Sequence, residues 1–196
     1  MAISRTPVFK RCDYLGIHPL VLGYTHKPSI RRQKPTRRRK QSEYARQLIE
    51  KQKLRFVYGV LERQFKLIYE RAEKASGNTG ENLITLLELR FDNIVFRSGL
   101  SVSRKESRQM INHGHFLVNG KRVSIPSVTL NVGDIVTVDE KIKQHVLSRR
   151  LAQNRTTPTW LRFDEERFEA TVISQPSRND IDYDVTESAV VELYSK

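Results

Sequence analysis

The sequence predicts an α+β protein in which a helical domain precedes a domain of helices and short strands, behind an extended basic N-terminal arm. Three observations lead to this prediction. From residue 42 the apolar side chains recur every three or four positions, which is typical of amphipathic helices. After Gly114 they fall in short runs separated by turn signals such as Asn119-Gly120, which is typical of hairpin strands. Before residue 42 the chain is rich in proline and positive charge.

These changes of pattern divide the chain into three parts. The arm takes residues 1–41, the helical domain residues 42–80 and the second domain residues 81–185. The last apolar run is short, so we expect a segment of about residues 186–196 to pack back on the helical domain. With 196 residues, of which 38% are hydrophobic, the chain is long enough for two modest cores.

The arm is strongly basic. Residues 1–40 hold eleven Lys and Arg and a single acid, Asp13. Four prolines exclude a long helix, and they are Pro7, Pro19, Pro28 and Pro35. We interpret the arm as a segment that becomes ordered on RNA; the alternative is a disordered tail or a basic run that resembles a nuclear-targeting signal. Its candidate RNA contacts are Arg31, Arg32, Arg37, Arg38, Arg39 and Lys40.

Three aromatic residues of the arm, Phe9, Tyr14 and Tyr24, lie among these positive charges. Aromatic rings between basic residues suit stacking on unpaired bases. The same rings would also serve as small hydrophobic anchors on the next domain. The sequence leaves both interpretations open.

The helical domain begins at Ser42 and extends to about Ala75. Gly59 lies inside this pattern, and we interpret it as the end of one helix and the turn into a second, because glycine adopts the left-handed conformation freely. A glycine tolerated inside one helix, at a cost of about 1 kcal/mol relative to alanine, is the alternative. Residues 75–80 form a linker. The first helix carries four candidate RNA contacts, Arg46, Lys51, Lys53 and Arg55.

Two helices open the second domain. The apolar stripe from Leu83 to Val95 predicts one continuous core helix. A shorter helix follows, for which Ser103 and Glu106 form a capping box and Gly114 supplies the stop. Its apolar face is predicted to pack on the first helix. The opposite, exposed side carries a row at i, i+4 spacing, made of Arg104, Arg108 and Asn112.

Strands follow the second helix. His115–Val118 and Lys121–Val123 form a predicted hairpin, because Asn-Gly supplies the two positive φ angles of a two-residue turn. A further turn at residues 131–134 leads into a strand at residues 135–138, and a helix is predicted at about Lys143–Gln153. Short strands are predicted at Trp160-Leu161 and at Ala170–Ser174.

The second helix and the hairpin concentrate donors for nucleic acid. A basic row on one helix is more often an ordinary solvated face. Here, however, donors from the helix, its end and the hairpin converge, and arginine forks suit phosphate. The candidate RNA contacts are Arg104, Lys105, Arg108, His113, His115, Asn119, Lys121 and Arg122. The net charge of +13 and the pI of about 10.1 also indicate a polyanionic partner.

Other classes of protein are disfavoured. The sequence contains no G-x-S-x-G, H-E-x-x-H or P-loop motif, so we expect no enzymatic activity. It has no apolar run of about 20 residues and no secretory signal, and its single cysteine fits the reducing cytosol. Cys12, His18 and His26 are the only plausible zinc ligands of the arm, whereas a closed site needs four. We therefore expect no metal and no other cofactor.

One stretch carries a recognisable signature. The residues SRKESRQMINHGHFLVNGKRVSIPS, from Ser103 to Ser127, closely resemble the RNA-binding module named after ribosomal protein S-four. The flanking stretches SEYARQLIEKQKLRFVYGVLERQF and GNTGENLITLLELRFDNIVFRSGL, and the terminal VVELYSK, resemble the bacterial-type small-subunit ribosomal protein S-four family. The resemblance covers nearly the whole chain. Many members of the family bind zinc through a cysteine cluster in the arm, but this sequence has only Cys12 and resembles the zinc-free branch.

The resemblance implies a fold and a function. For the module at about residues 83–150 it implies a helix pair packed on a small, mainly antiparallel sheet. It also implies that the protein is a primary binder of small-subunit ribosomal RNA and takes part in early assembly of the subunit body. It further implies contact with ribosomal protein S-five and an influence on translational accuracy. The protein would then be located in the cytoplasm, in the small subunit and near the entry site of mRNA. The alternative is the RNA-binding fragment of an RNA-modifying or tRNA-handling enzyme.

The C-terminal end is acidic, in contrast to the arm. Residues 164–196 hold nine Asp and Glu but only three Lys and Arg. Such a surface repels RNA, so we expect it to face a protein neighbour or solvent. The candidate interface residues are Glu165, Glu166, Glu169, Asp180, Asp182 and Asp184. The resemblance names ribosomal protein S-five as the neighbour.

Overall fold

The computed structural model describes residues 7–25, 42–153 and 156–195. The chain divides into two compact units. The end unit comprises residues up to Phe65 together with Asp182–Lys196, and the central unit comprises Lys66–Ile181. Among the described helices, none combines the length and the apolar character that a bilayer crossing requires.

The end unit begins with two short helical segments. Helix α1 spans Val8–Leu15, and a 3-10 turn spans Pro19–Leu22. The prediction of an extended arm was therefore wrong for residues 7–25. Pro7 and Pro19 each stand at a helix start, where the missing N–H costs no hydrogen bond. Five apolar residues of this stretch are buried, and they are Cys12, Leu15, Ile17, Val21 and Leu22.

Helices α2 (Glu43–Val57) and α3 (Glu62–Lys74) follow. Ser42 caps α2, since its hydroxyl accepts from the Ala45 N–H at 3.2 Å. Gly59 has φ +60° and separates the two helices, so the predicted helix end at this glycine is confirmed.

Helix α8 (Glu187–Tyr194) packs on α2 within the end unit. Ala189 and Val190 are buried. Two polar contacts accompany the packing. Gln47 donates to the Glu192 carboxylate at 2.9 Å, and the Thr186 N–H donates to Glu50 at 3.0 Å. The residues near the two ends of the chain therefore share one core.

Helices α4 (Thr79–Glu88) and α5 (Phe91–Arg97) open the central unit. The prediction of one continuous helix over residues 83–95 was wrong, because Arg90 has an extended backbone. The loop at residues 128–130 supplies the partners that replace helical hydrogen bonds. The Leu130 N–H donates to the Leu89 carbonyl at 2.9 Å, and the Phe91 N–H donates to the Val128 carbonyl at 2.8 Å.

Helix α6 (Arg104–Asn112) packs against α5, as predicted. The Ser103 hydroxyl accepts from the Glu106 N–H at 3.3 Å, and the Glu106 carboxylate accepts from the Val102 N–H at 2.6 Å. The carboxylate thus reaches back to the residue before the cap, one position earlier than expected. Gly114 has φ +73° and ends the helix, which confirms the predicted stop.

Five antiparallel strands form one sheet in the order β2-β1-β3-β5-β4. They are β1 (Phe116–Val118), β2 (Lys121–Arg122), β3 (Ile135–Val138), β4 (Leu161–Asp164) and β5 (Glu169–Val172). Asn119 and Gly120 have φ +50° and +76°, so the predicted hairpin turn is confirmed. Helix α7 (Lys143–Gln153) joins β3 to β4 at the predicted position.

The core of the central unit lies between the sheet and the helices α5 and α6. Phe91 and Phe116 meet edge to face, with ring centroids 6.2 Å apart. Val136, Ala170 and Val172 face the same core from neighbouring strands. This packing fixes the orientation of α6 and of the hairpin, which carry many of the predicted RNA contacts.

Candidate nucleic-acid interface

Two buried carboxylates organise the polar groups of the central unit. The Glu88 side chain is 1% exposed and accepts two hydrogen bonds from Arg97, at 2.9 and 3.2 Å. It also accepts from the Asn93 amide at 2.6 Å. The Asn93 oxygen in turn accepts from Arg104 Nε at 2.8 Å. A chain of charge-assisted hydrogen bonds therefore connects α4, α5 and α6.

The second buried carboxylate belongs to Asp92, whose side chain is 2% exposed. Arg90 donates to it twice, at 3.0 and 3.1 Å. Arg108 of α6 donates to the same carboxylate at 2.6 Å. The ion pair between Asp92 and Arg108 therefore connects α5 to α6.

The row on α6 is consequently not the exposed face that the sequence predicts. Arg104 is 4% exposed, and its guanidinium lies 4.3 Å from the centroid of the Phe96 ring. Arg108 is half-buried against Asp92. The prediction that these two arginines are solvent-exposed was wrong. Their partners lie 11 and 16 residues earlier in the chain, so periodicity within α6 does not reveal them.

Other cations of this region are exposed. Lys105 on α6 and Lys121 at the hairpin are exposed, and no ion pair ties either of them to a carboxylate of the described chain. Arg122 is also exposed, although it forms a salt bridge with Asp139 at 2.7 Å. A side chain added at Gly114 would meet Arg122 Cδ at 3.2 Å, so the end of α6 and the hairpin lie close together.

The polar groups between these cations have defined places. His113 is exposed and His115 half-buried, with their ring centroids 5.8 Å apart. The Asn119 amide donates to Asp134 at 2.8 Å and accepts from the Ile135 N–H at 2.9 Å. Asn119 therefore fixes the hairpin turn on β3. The structure places His113, His115 and Arg122 close together at the end of α6, whereas two arginines of the predicted set, Arg104 and Arg108, point inward.

The four candidate contacts on α2 all pair with carboxylates of the end unit. Arg46 binds Glu43 at 2.9 Å, and Lys53 binds Glu50 at 2.8 Å. Lys51 and Arg55 share Glu62, at 2.9 and 2.6 Å. Burial raises the pKa of Glu62. The hydrogen bond from Lys51 and the charge of Arg55 lower it by a larger amount together, so the pKa lies below its usual value. Glu62 is thus ionised at neutral pH and offsets both cations.

The six candidate contacts of the arm, Arg31, Arg32, Arg37, Arg38, Arg39 and Lys40, lie outside the described residues. The same holds for His26, one of the weighed zinc ligands.

The six acidic candidates are divided between the two units. Glu165 and Glu166 are exposed in the turn between β4 and β5, and Glu169 is half-buried at the start of β5. Asp180 accepts hydrogen bonds from the Ser177 N–H and hydroxyl, both at 2.7 Å. Burial raises the pKa of Asp180, but these bonds outweigh it, so the pKa lies below its usual value. Asp182 and Asp184 are exposed in the other unit, the end unit.

Sequence reasoning missed Glu88 and Asp92 as organising residues. A signal for them is present in the sequence. Both carboxylates lie within the mostly apolar stretch from Leu83 to Val95, where a buried acid requires a partner. The neighbouring Arg90 and Arg97 are such partners.

Cys12 is the single cysteine of the chain, and its side chain is buried. Burial, together with the nearby charge of Asp13, raises the pKa of the thiol to about 11. A metal ligand must be a thiolate, which this environment disfavours. Among the described residues, no three His, Cys, Asp or Glu side chains are grouped as metal ligands.

We expect a strong chelator to leave the thermal melting curve of the protein unchanged, because folding of the described residues relies on packing and ion pairs. The measurement is a melt with and without chelator, together with elemental analysis of the purified protein. Stoichiometric zinc and a lower midpoint after chelation would contradict the expectation.

Two protein-family models match the chain. The model described as "Ribosomal protein S4/S9 N-terminal domain" matches residues 6–88, and the model described as "S4 domain" matches residues 89–136. Among curated relatives, the small ribosomal subunit protein uS4 of Fusobacterium nucleatum is 45% identical over 196 residues, which is the full length of both chains. The uS4 protein of Lachnospira eligens is 46% identical over 199 aligned positions, again the full length of both. The uS4 protein of Clostridium tetani is 56% identical over 160 residues, or 81% of this chain and 78% of the relative.

Proposed function

The chain belongs to the uS4 family of small ribosomal subunit proteins, and from this premise we propose that it binds small-subunit ribosomal RNA as a structural component of the subunit. The family is a non-enzymatic component of the ribosome, so the protein is not an enzyme. Its relatives are proteins of the bacterial small ribosomal subunit, and its place is in that subunit, in the cytoplasm.

One observation of the central unit supports RNA binding most strongly. The buried carboxylate of Glu88 binds Arg97, and that of Asp92 binds Arg90 and Arg108, so these charges build the scaffold. Lys105 in the first turn of α6, and Lys121 and Arg122 at the hairpin, remain exposed on that scaffold. Exposed cations on a folded scaffold are suited to phosphates, because phosphate contacts position a protein on RNA and release counterions.

The test is a double variant, Lys105→Ala with Lys121→Ala, in the full chain. We expect weaker binding to small-subunit rRNA and a flatter plot of log affinity against log salt. The slope should fall by about 0.7–0.9 for each lost phosphate contact. Both side chains are exposed, so the thermal midpoint should remain that of the unmodified protein.

The matched control keeps both charges, as Lys105→Arg with Lys121→Arg. This variant should retain the original salt slope. If the alanine variant binds with unchanged affinity and slope, these lysines are merely solvated and the interface lies elsewhere.

The proposal also includes finer roles. We assign the arm's cations, from Arg31 to Lys40, to RNA contacts, and we propose that binding helps to nucleate assembly of the subunit body. We further propose that the protein contacts ribosomal protein S-five and influences translational accuracy, near the path of mRNA. Glu165 and Glu166 are the stronger candidates for the protein contact, because they are exposed together in one turn.

Lysine at Glu165 and Glu166 tests this contact. We expect normal rRNA affinity together with an altered error rate in a translation reporter, because rim charges set orientation and association more than affinity. Normal incorporation with an unchanged error rate would argue against the contact with ribosomal protein S-five.

A further inference from the structure

The structure separates the three aromatic residues that lie among the basic residues of the N-terminal segment. Phe9 and Tyr24 meet edge to face, with ring centroids 6.4 Å apart, and both are half-buried. They therefore act as hydrophobic anchors within the end unit. Tyr14 is 65% exposed, so its ring does not contribute to this core.

Helix geometry holds Tyr14 outward. Cys12 and Leu15 occupy the buried face of α1, and they are 0% and 2% exposed. Tyr14 lies on the other side of the helix, together with the exposed Lys10. The burial of the first face fixes the direction of the second, so the Tyr14 ring is presented to solvent by a folded element.

A cation accompanies the ring. The Arg11 guanidinium carbon lies 5.4 Å from the centroid of the Tyr14 ring, within the range of a cation–π contact. Arg11 is itself held, because its Nη2 donates to the Gln52 side chain of α2 at 3.1 Å. The ring and the guanidinium are thus positioned before any ligand arrives, which reduces the entropy lost on binding.

We propose that Tyr14 is a stacking platform for an unpaired base of ribosomal RNA, with Arg11 and Lys10 beside it to bind the adjoining phosphates. An exposed aromatic ring next to positive charge is the arrangement by which proteins bind unpaired bases. This inference rests on the proposed function. It adds an RNA contact to the end unit, where the cations of α2 are already paired with carboxylates.

Tyr44 is the other strongly exposed tyrosine of the end unit, at 59%. Next to it in the chain, Glu43 forms a salt bridge with Arg46 at 2.9 Å, so the adjacent charges cancel. Tyr14 has an adjacent guanidinium and the exposed Lys10, two cations beside the single acid Asp13, and it is therefore the better site for a nucleotide.

The test compares Tyr14→Ala, Tyr14→Phe and Leu20→Ala in the full chain, by affinity for small-subunit rRNA at several salt concentrations. Leu20 is 57% exposed in the same segment and has no aromatic face, so its truncation is the matched control. Tyr14→Ala should weaken binding by about 5- to 150-fold, which is the range for loss of one base stack. The salt slope should not change, because stacking releases no counterions. Tyr14→Phe and Leu20→Ala should bind like the unmodified protein.

A thiol assay controls for local unfolding. Cys12 is buried two residues from Tyr14, so its reaction with a thiol reagent should be as slow in Tyr14→Ala as in the unmodified protein. Normal affinity of Tyr14→Ala would overturn the stacking proposal while leaving the proposed function intact. Normal RNA affinity combined with poor incorporation into subunits would also overturn it, and would indicate a protein neighbour at Tyr14. If the unmodified protein itself does not bind this RNA, the proposed function fails first.

Discussion

Glu88→Ala is expected to lower the free energy of unfolding of the central unit by about 3–5 kcal/mol, the range for removing one partner of a buried ion pair. The substitution deprives Arg97 of two hydrogen bonds and the Asn93 amide of one. The Arg97 side chain is only 9% exposed, so water does not readily replace the lost partner.

Trp160 reports this effect directly. It is the single tryptophan of the chain, it is 1% exposed, and it lies in the core of the central unit. Denaturant unfolding followed by its fluorescence should show an earlier midpoint for Glu88→Ala. Glu166→Ala, at an exposed turn, is the control and should remain within about 0.5 kcal/mol of the unmodified protein. A similarly small change for Glu88→Ala would show that the buried network does not stabilise the unit.

Val190→Asp is expected to disrupt the end unit. Val190 is 0% exposed in α8, and an aspartate there would be buried without a partner. We expect a loss of about 4 kcal/mol or more, because an unpaired buried charge is among the most destabilising changes. Helix α8 should detach from α2, and amide hydrogen exchange in α2 should accelerate.

The control for this variant lies two residues earlier. Ser188 is exposed in the first turn of α8, where an aspartate interacts favourably with the helix dipole. Ser188→Asp should therefore leave exchange in α2 unchanged. If Val190→Asp also preserved the protection of α2, the packing of α8 would be dispensable for the end unit.

Local signals explain why much of the fold follows from the sequence. The capping serine at 103, the glycine stops at 59 and 114 and the Asn119-Gly120 turn each act within a few residues. A left-handed glycine or a capping serine restricts the backbone in nearly any context. These features therefore appear where the sequence predicts them.

The errors have a different physical origin. The break between α4 and α5 depends on a loop about 40 residues later, which pairs with the backbone around Arg90. The orientation of Arg104 depends on Asn93 in another helix. Tertiary contacts of this kind override a helical pattern. They join residues far apart in the chain, so a local stretch of sequence does not reveal them.

The candidate site likewise combines features that local sequence predicts with features that depend on tertiary contacts. The sequence correctly places basic residues on α6 and the hairpin, but it does not show which of them are already bound to carboxylates. Lys51 and Arg55 share Glu62 across the turn between two helices, and Arg108 binds Asp92. A count of charges therefore overstates the surface that is open to RNA.

We propose that the protein is an RNA-bound component of the small ribosomal subunit. Sedimentation of a gently prepared lysate through a sucrose gradient, with the protein quantified in each fraction, tests it most directly. We predict co-sedimentation with small subunits in amounts equal to their rRNA, and release of the protein when the RNA is digested. Recovery of the protein free at the top of the gradient, or with an activity that modifies RNA bases, would contradict the claim.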